Sequence, residues 1–219
     1  MEYLTFTEES EKKEAAAPQK SRAVKDLFDW LDIIVASLVS VVIIFTLLFR
    51  VVTIVGDSMQ NTFYNGEKII ITNLFYTPKY GDVVVISRNA GNTTEGLTAS
   101  SGPLIKRVIA TGEQYVDIDF EAGKVYVGYS SNRADMTELD EPYIKAPTYL
   151  SADVEFPVYV PEGYVFVLGD NRNDSKDSRF SEIGENGLIN EKYILGRAVF
   201  RIFPVNRAGK IPSVNGGNK

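Results

Sequence analysis

The feature that most constrains this chain is an uncharged apolar run of seventeen residues, from Ile33 to Phe49. As a helix it would span roughly 26 Å, close to the hydrocarbon thickness of a bilayer. A soluble helix that is apolar on all faces would need a larger protein around it. A cleavable signal peptide normally has a shorter apolar region that ends in small residues, whereas this run ends in Leu47, Leu48 and Phe49. The run therefore predicts a single transmembrane anchor, which we place at residues 30–50.

The charges around this run predict its orientation. Lys20, Arg22 and Lys25 precede it, while fewer basic residues follow it closely. Because basic residues favour the cytoplasmic side, we expect a cytoplasmic N-terminus and everything after Arg50 outside. Residues 1–29 are polar and mixed in charge, which is typical of a flexible tail.

Composition limits the chemistry that the chain can perform. It contains no His and no Cys, which excludes a Ser-His-Asp triad, a Cys-His nucleophile, a zinc finger and a disulfide framework. Any catalysis must use Ser, Thr, Lys, Tyr or a carboxylate. With 23 basic and 29 acidic side chains the net charge is -6, the wrong sign for general attraction to phosphates, so we expect no nucleic-acid partner.

Residues 51–219 have the pattern of β-structure. Short runs rich in Val, Ile, Phe and Tyr are bounded by Gly, Pro, Asn or Asp: "EKIIITNLFY", "GDVVVIS", "GKVYVG", "GYVFVLGD" and "GRAVFRIFP". No long segment with helical periodicity interrupts them. We predict an all-β domain of coiled antiparallel sheets, with a small-residue loop at 89–103 and an irregular insertion around 132–157.

One serine stands out in "VGDSMQNTF", where Ser58 follows the apolar run closely. A serine hydroxyl needs a base, and a lysine can serve if burial keeps it neutral. Lys106 in "PLIKRVIATG" has apolar neighbours, although strand alternation leaves open which face of that strand is buried. Ser58 as a plain turn residue and Lys106 as a half-exposed edge residue remain alternatives. Ser10 and Lys13 also match S-x-x-K, but a polar tail lacks the buried helix start that this pattern needs.

Four segments in order, "GDSMQNTF", "YGDVVVIS", "KRVIATGEQYVDI" and "GDNRNDSKDSR", resemble the successive boxes of the type I signal peptidases. The last string is the most specific. The resemblance implies a membrane-anchored serine endopeptidase that removes signal peptides from exported preproteins after small-residue, A-x-A-like sites. It implies signal peptides and the lipid bilayer as partners, the secretion translocon as a candidate partner, no cofactor and no metal.

The resemblance also assigns roles to individual residues. Ser58 falls on the nucleophile and Lys106 on the general base, while Ser175 falls on the serine that hydrogen-bonds and orients that lysine. Asp177 and Arg179 fall on a paired acid and base that brace the site. The backbone N–H of Ser58 would hold the oxyanion.

The chain departs from the family pattern in three places. Some members add an oxyanion hydroxyl two residues before the nucleophile, where this chain has Gly56. The usual S-M-x-P-T has Asn61 in place of proline, for which we expect lower rigidity more than lost activity. The usual G-L-P-G-D after the lysine box is replaced by the shorter Ala110–Glu113, for which we expect a compensating turn.

Three other interpretations of this sequence are possible. Oxygen-bearing residues at alternate positions from Asn171 to Asp177 resemble a calcium loop, but Lys176 occupies the place of the EF-hand glycine. A non-catalytic anchored β-domain that binds a partner outside the cell would keep Ser58 as a turn residue. A Ser-Lys self-cleaving protease of the repressor type would share the dyad, but such a protein is ordinarily soluble, and the predicted span argues against it.

Overall fold

The computed structural model describes residues 19–87, 103–211 and Val214. The predicted loop at 89–103 and residues 1–18 of the predicted tail therefore lie outside the described residues, apart from Pro103. The chain divides into two compact units, Met1–Leu47 and Leu48–Lys219, and each is described by itself.

The described part of the first unit is helical, and this helix runs from Gln19 to Leu48, the first residue of the second unit. Its apolar part, Val24–Thr46, has a mean hydropathy of 2.3 and is not buried by other parts of the structure. The hydroxyl groups of Ser37 and Ser40 donate to backbone carbonyls within the helix at 2.9 and 2.7 Å, as polar groups must inside a bilayer. The helix is long and apolar enough to cross a membrane.

The helix begins earlier than the sequence suggested. Residues 19–29, predicted as part of a flexible tail, are helical, and the helix ends at Leu48 rather than at Arg50. Charged residues mark the predicted boundary between tail and helix. However, the segment "QKSRAVKDLFD" has no Gly or Pro and contains several good helix formers. A helix can thus continue beyond its apolar part.

The second unit is built from twelve strands among the described residues. They are β1 (Arg50–Thr53), β2 (Lys68–Thr72), β3 (Val83–Ile86), β4 (Leu104–Ala110), β5 (Gln114–Asp119), β6 (Lys124–Gly128), β7 (Thr137–Glu138), β8 (Val158–Val160), β9 (Tyr164–Leu168), β10 (Ile189–Asn190), β11 (Ile194–Phe203) and β12 (Gly209–Lys210). Eight of them form one antiparallel sheet in the order β1-β2-β11-β3-β4-β9-β10, with β12 paired to β11, and four form a second sheet in the order β7-β6-β5-β8. The all-β prediction is confirmed: the first four quoted apolar runs contain β2, β3, β6 and β9, and the fifth covers β11 from Gly196 onward.

Between β6 and β8 the chain is mostly irregular. It holds a short 3-10 helix, Arg133–Asp135, and the two-residue strand β7, and then runs without a regular element until Val158. This segment includes residues 132–157, which the sequence predicts to be an irregular insertion.

Strand β4 is central to the packing of this unit. Ile105 belongs to one apolar cluster with Met59 and Phe63, Val108 to a second, and Ile109 to a third. Residues 105–110 are therefore buried on both faces of the strand. This settles the question that alternation left open, because both possible faces are inside.

The turn after β4 compensates for the shorter sequence there. Glu113 adopts a left-handed backbone with φ of 68°. The Gln114 side chain accepts a hydrogen bond from the Thr111 N–H at 2.9 Å, and the Glu113 N–H donates to the Val160 carbonyl at 2.8 Å. The expected compensating turn thus joins β4 directly to β5.

Candidate active site

Ser58 and Lys106 lie within hydrogen-bond distance of each other. The Lys106 Nζ is 2.8 Å from the Ser58 Oγ, although the two residues are far apart in sequence. The same Nζ donates to the Ile105 carbonyl at 3.0 Å. Lys106 is only 3% exposed because β4 is covered on both faces. A serine hydroxyl in direct contact with a buried lysine amine has the arrangement that a Ser-Lys dyad requires.

The surroundings of Lys106 make it a usable base. Burial lowers the pKa of Lys106 to about 8, because the ammonium form loses its hydration. The carboxylates of Asp177 and Asp170 act in the opposite direction and raise this pKa, while the Arg179 guanidinium lowers it. A substantial fraction of the amine is therefore neutral in mildly alkaline solution.

The turn that carries Ser58 is held by backbone hydrogen bonds. The N–H groups of Gln60 and Phe63 donate to the carbonyls of Asp57 and Met59 at 2.9 and 2.8 Å. Among the hydrogen bonds of the described residues, none uses the Ser58 N–H. That donor remains available for an oxyanion that forms at the Ser58 hydroxyl.

The loop after β9 clamps this turn from outside. The Asn171 N–H donates to the Ser58 carbonyl at 3.0 Å, and the Asn171 side-chain amide donates to the Asp57 carbonyl at 3.2 Å. Gly56 comes just before the clamped residues, with φ of 90°, and its N–H donates to the Asn65 side chain at 3.3 Å. As expected from its lack of a side chain, Gly56 offers no hydroxyl to the site.

Ser175 is buried beside the dyad, but its hydroxyl is not paired. It is 6% exposed, and its Oγ has no hydrogen-bond partner among the described residues. The hydrogen bond to Lys106 that the resemblance implies is thus not formed here, and the orienting role of Ser175 stays a prediction. A Cβ added to Gly169 would lie 2.1 Å from the Ser175 Oγ and 2.5 Å from the Ser58 carbonyl oxygen. Only glycine leaves room at this position for both the Ser175 hydroxyl and the Ser58 carbonyl oxygen.

Asp177 and Arg179 form a fully buried pair, as the resemblance implies. The guanidinium donates to both carboxylate oxygens at 2.8 Å. Asp177 also accepts from the Gly169 N–H at 2.9 Å, and Arg179 donates to the Leu150 carbonyl at 2.8 Å. The pair therefore ties the loop after β9 to the chain that precedes β8.

A second buried pair was not predicted from the sequence. Arg107 donates to both Asp170 oxygens at 2.8 and 2.6 Å, and both side chains are inaccessible to solvent. The Thr62 hydroxyl donates to Asp170 in a short hydrogen bond, which links this pair to the Ser58 turn. The sequence does show an arginine inside an apolar strand, and a buried arginine requires a carboxylate partner. The sequence does not show which carboxylate is that partner.

A third pair extends the same network. Arg172 is 1% exposed and donates to the Glu141 carboxylate at 2.7 Å. It also donates to the Thr148 hydroxyl at 2.9 Å and to the Gly169 carbonyl at 3.1 Å. Arg172 thereby connects the irregular chain between β6 and β8 to Gly169, the glycine next to Ser175 and the Ser58 carbonyl.

The sequence of this chain is similar to those of known proteins. The sequence profile of the family described as "Signal peptidase, peptidase S26" matches residues 27–203. A probable signal peptidase I-1 of Synechocystis sp. is 34% identical over 161 residues, covering 72% of this chain and 73% of its own. Signal peptidase I P of Bacillus subtilis subsp. natto is 29% identical over 193 residues, covering 86% of this chain and 96% of its own. A crystal structure of a signal peptidase I from Enterococcus faecalis overlaps 56% of this chain and 97% of its own, with a TM-score of 0.31 and 21% identity.

Proposed function

Because the chain belongs to the signal peptidase family, peptidase S26, we propose that Ser58 is its nucleophile and Lys106 its general base. The chain is a serine endopeptidase of the signal peptidase I type, and its apolar N-terminal helix fits a membrane-anchored protein. Family membership favours this function over a non-catalytic anchored β-domain and over a self-cleaving repressor-type protease. The observation that supports the residue assignment best is the 2.8 Å contact between Ser58 Oγ and Lys106 Nζ.

In the proposed reaction the neutral Lys106 amine takes the proton of the Ser58 hydroxyl. The Ser58 oxygen then attacks the scissile carbonyl carbon, and the backbone N–H of Ser58 stabilises the oxyanion, an effect worth about 3 to 4 kcal/mol for one such donor. The Lys106 ammonium gives its proton to the leaving amine, which leaves an acyl-enzyme. Lys106 next deprotonates a water molecule, whose attack on the ester releases the cleaved signal peptide and restores Ser58.

The buried carboxylates near Lys106 tune this base. Desolvation alone would favour a very weakly basic amine, while Asp177 and Asp170 favour the ammonium form. The resulting pKa of about 8 lies close to physiological pH, where a general base combines adequate strength with a usable neutral fraction.

The substrates are exported preproteins, cleaved after small-residue, A-x-A-like sites. We propose that the catalytic unit lies on the outer side of the membrane, with the N-terminus in the cytoplasm; the basic residues concentrated before the apolar helix support this orientation. There it acts on a substrate held in the lipid bilayer, next to the secretion translocon.

This assignment is tested with the full chain in detergent or lipid and a secreted precursor. Ser58→Ala and Lys106→Ala should each abolish cleavage, whereas Lys145→Ala, which removes an exposed lysine, should cleave like the wild type. The wild-type rate should rise with pH through about 8 as Lys106 loses its proton. Processing at the wild-type rate by both dyad variants, or a rate that is unchanged down to acid pH, would contradict the proposal.

A further inference from the structure

Glu67 is a buried carboxylate that the proposed reaction does not use. It is 3% exposed and lies between two guanidinium groups, with Arg201 Nε 3.1 Å from its Oε2 and Arg207 Nη1 2.6 Å from its Oε1. Neither of its two oxygens forms a hydrogen bond among the described residues, so its contacts with the two arginines are ion pairs only. A buried charge is stable only when it is paired, so Glu67 holds both arginines in place by charge.

Arg201 reaches the turn that carries the nucleophile. From β11, its Nη2 donates a hydrogen bond to the Thr62 carbonyl at 2.5 Å, and its guanidinium lies 5.2 Å from the centre of the Phe63 ring. Thr62 and Phe63 close the turn through their bonds to the Met59 carbonyl. A single guanidinium group therefore links the Glu67 carboxylate to the backbone of the Ser58 turn.

Thr62 is held from two sides. Its hydroxyl donates to Asp170 and lies 3.3 Å from Arg107 Nη2, while its carbonyl accepts from Arg201. The first contact comes from Asp170 in the loop after β9 and from Arg107 of β4, and the second comes from β11. Removing either one leaves the end of the turn free to move relative to Lys106.

We propose that Arg201, held by Glu67, is a positioning residue that sets the distance between the Ser58 hydroxyl and Lys106. The inference rests on the proposed roles of Ser58 and Lys106. Displacement of a reacting group by about 1 Å can slow catalysis about 100-fold, so a fixed turn matters for the chemical step. We expect the contact to act on the chemical step and not on substrate binding, because Arg201 bonds the backbone of the turn.

Arg207 provides a matched control. It pairs with the same carboxylate as Arg201, but its guanidinium lies over the Tyr64 ring at 4.5 Å and makes no described contact with Thr62. In precursor cleavage, Arg201→Met should lower kcat about 10- to 100-fold with KM within about twofold of the wild type. Arg207→Met should change both constants by less than about twofold.

A double variant separates positioning from stability. The variant Glu67→Gln/Arg201→Met removes the carboxylate and the Arg201 guanidinium together. Replacing both partners of a buried ion pair is often neutral for stability. We expect the melting temperature to recover while kcat stays low. If Arg201→Met alone does not fold, the double variant decides the matter by itself.

The result that overturns the inference is a kcat in Arg201→Met equal to that of Arg207→Met, or a double variant with the kcat of the wild type. Ser58→Ala in the same assay keeps this outcome apart from a failure of the proposed function. If wild-type cleavage does not depend on Ser58, the dyad assignment fails. If it does and the Arg201 variants are unaffected, only the positioning role fails.

Discussion

Replacing Lys106 by Met should make the protein more stable at neutral pH and remove part of its pH dependence. Burial lowers the pKa of Lys106 to about 8, whereas a lysine in the unfolded chain titrates near 10.4. Between these pH values the unfolded chain binds a proton that the folded protein does not. The free energy of unfolding therefore rises as pH rises through this window, and it falls as pH drops toward 8.

The size of the effect follows from the two pKa values. They differ by about 2.4, which corresponds to about 3 kcal/mol at about 1.4 kcal/mol for each pKa unit. Methionine fills a similar volume without a charge, so the variant lacks this penalty. At pH 7 we expect Lys106→Met to exceed the wild type by about 3 kcal/mol in free energy of unfolding, and at pH 10 by less than about 1 kcal/mol.

The measurement is guanidinium unfolding of the full chain in detergent micelles at several pH values from 7 to 10. The near-UV circular dichroism of the tyrosines reports mainly on the β unit, because eleven of the 12 tyrosines follow Leu48 and the single tryptophan, Trp30, belongs to the helix. Comparison with the variant cancels the titration of other groups, such as Tyr76 and Tyr143, whose pKa values are raised by burial. A stability difference that stays constant from pH 7 to pH 10 would refute the reasoning, since Lys106 would then titrate alike in both states.

Three further substitutions test the geometry around the nucleophile by precursor cleavage and chemical unfolding. Asn61 has φ of 90°, which a proline ring cannot adopt, so Asn61→Pro should lower kcat at least about 10-fold while Asn61→Gly keeps most of it. A Cβ on Gly169 would lie 2.1 Å from a buried hydroxyl oxygen, so Gly169→Ala should lower kcat about 100-fold. Gly209→Ala is the control, because nothing lies within 4 Å of the added atom. Asp170→Asn would leave the buried Arg107 charge without its partner and should lower the free energy of unfolding by about 3 kcal/mol.

Each of these substitutions has an outcome that contradicts its premise. Wild-type cleavage by Asn61→Pro would mean that the turn does not require a left-handed residue. Equal rates for the two Gly→Ala variants would mean that the positions of Ser58 and Ser175 do not depend on the missing side chain at Gly169. A loss below about 1 kcal/mol in Asp170→Asn would mean that Arg107 regains water or another partner.

Local sequence patterns predicted the elements of this fold better than their contacts. Val- and Ile-rich runs between Gly and Asp predict the strands, because the preference of a residue for a pleated, half-buried strand is visible in the local sequence. The polar sequence of residues 19–29 does not predict that the helix starts at Gln19, because a helix can extend beyond its apolar part. The left-handed Asn61 was also missed, because the family pattern has a proline there and the backbone angle depends on how the turn is closed.

The motifs predict the proposed dyad, but they do not predict the buried ion pairs around it. Arg107 bonds a carboxylate 63 residues away, and Arg201 bonds a carbonyl 139 residues away. Periodicity tells which residues share a face of one strand, not which strand will pack against it. The burial of both faces of β4 decided that Lys106 and Arg107 are both inside, and this depends on the order of the strands in the sheet.

The same burial explains why the arginines beside the dyad are paired so completely. A lysine base needs a dry site to lose its charge, yet a dry site cannot hold unpaired carboxylates or guanidinium groups. Each of Asp170 and Asp177 is neutralised by its own arginine, so neither acts on Lys106 as an isolated negative charge. Desolvation therefore remains the largest influence on the Lys106 pKa, and the pairs can position the Ser58 turn without forcing the base into its charged form.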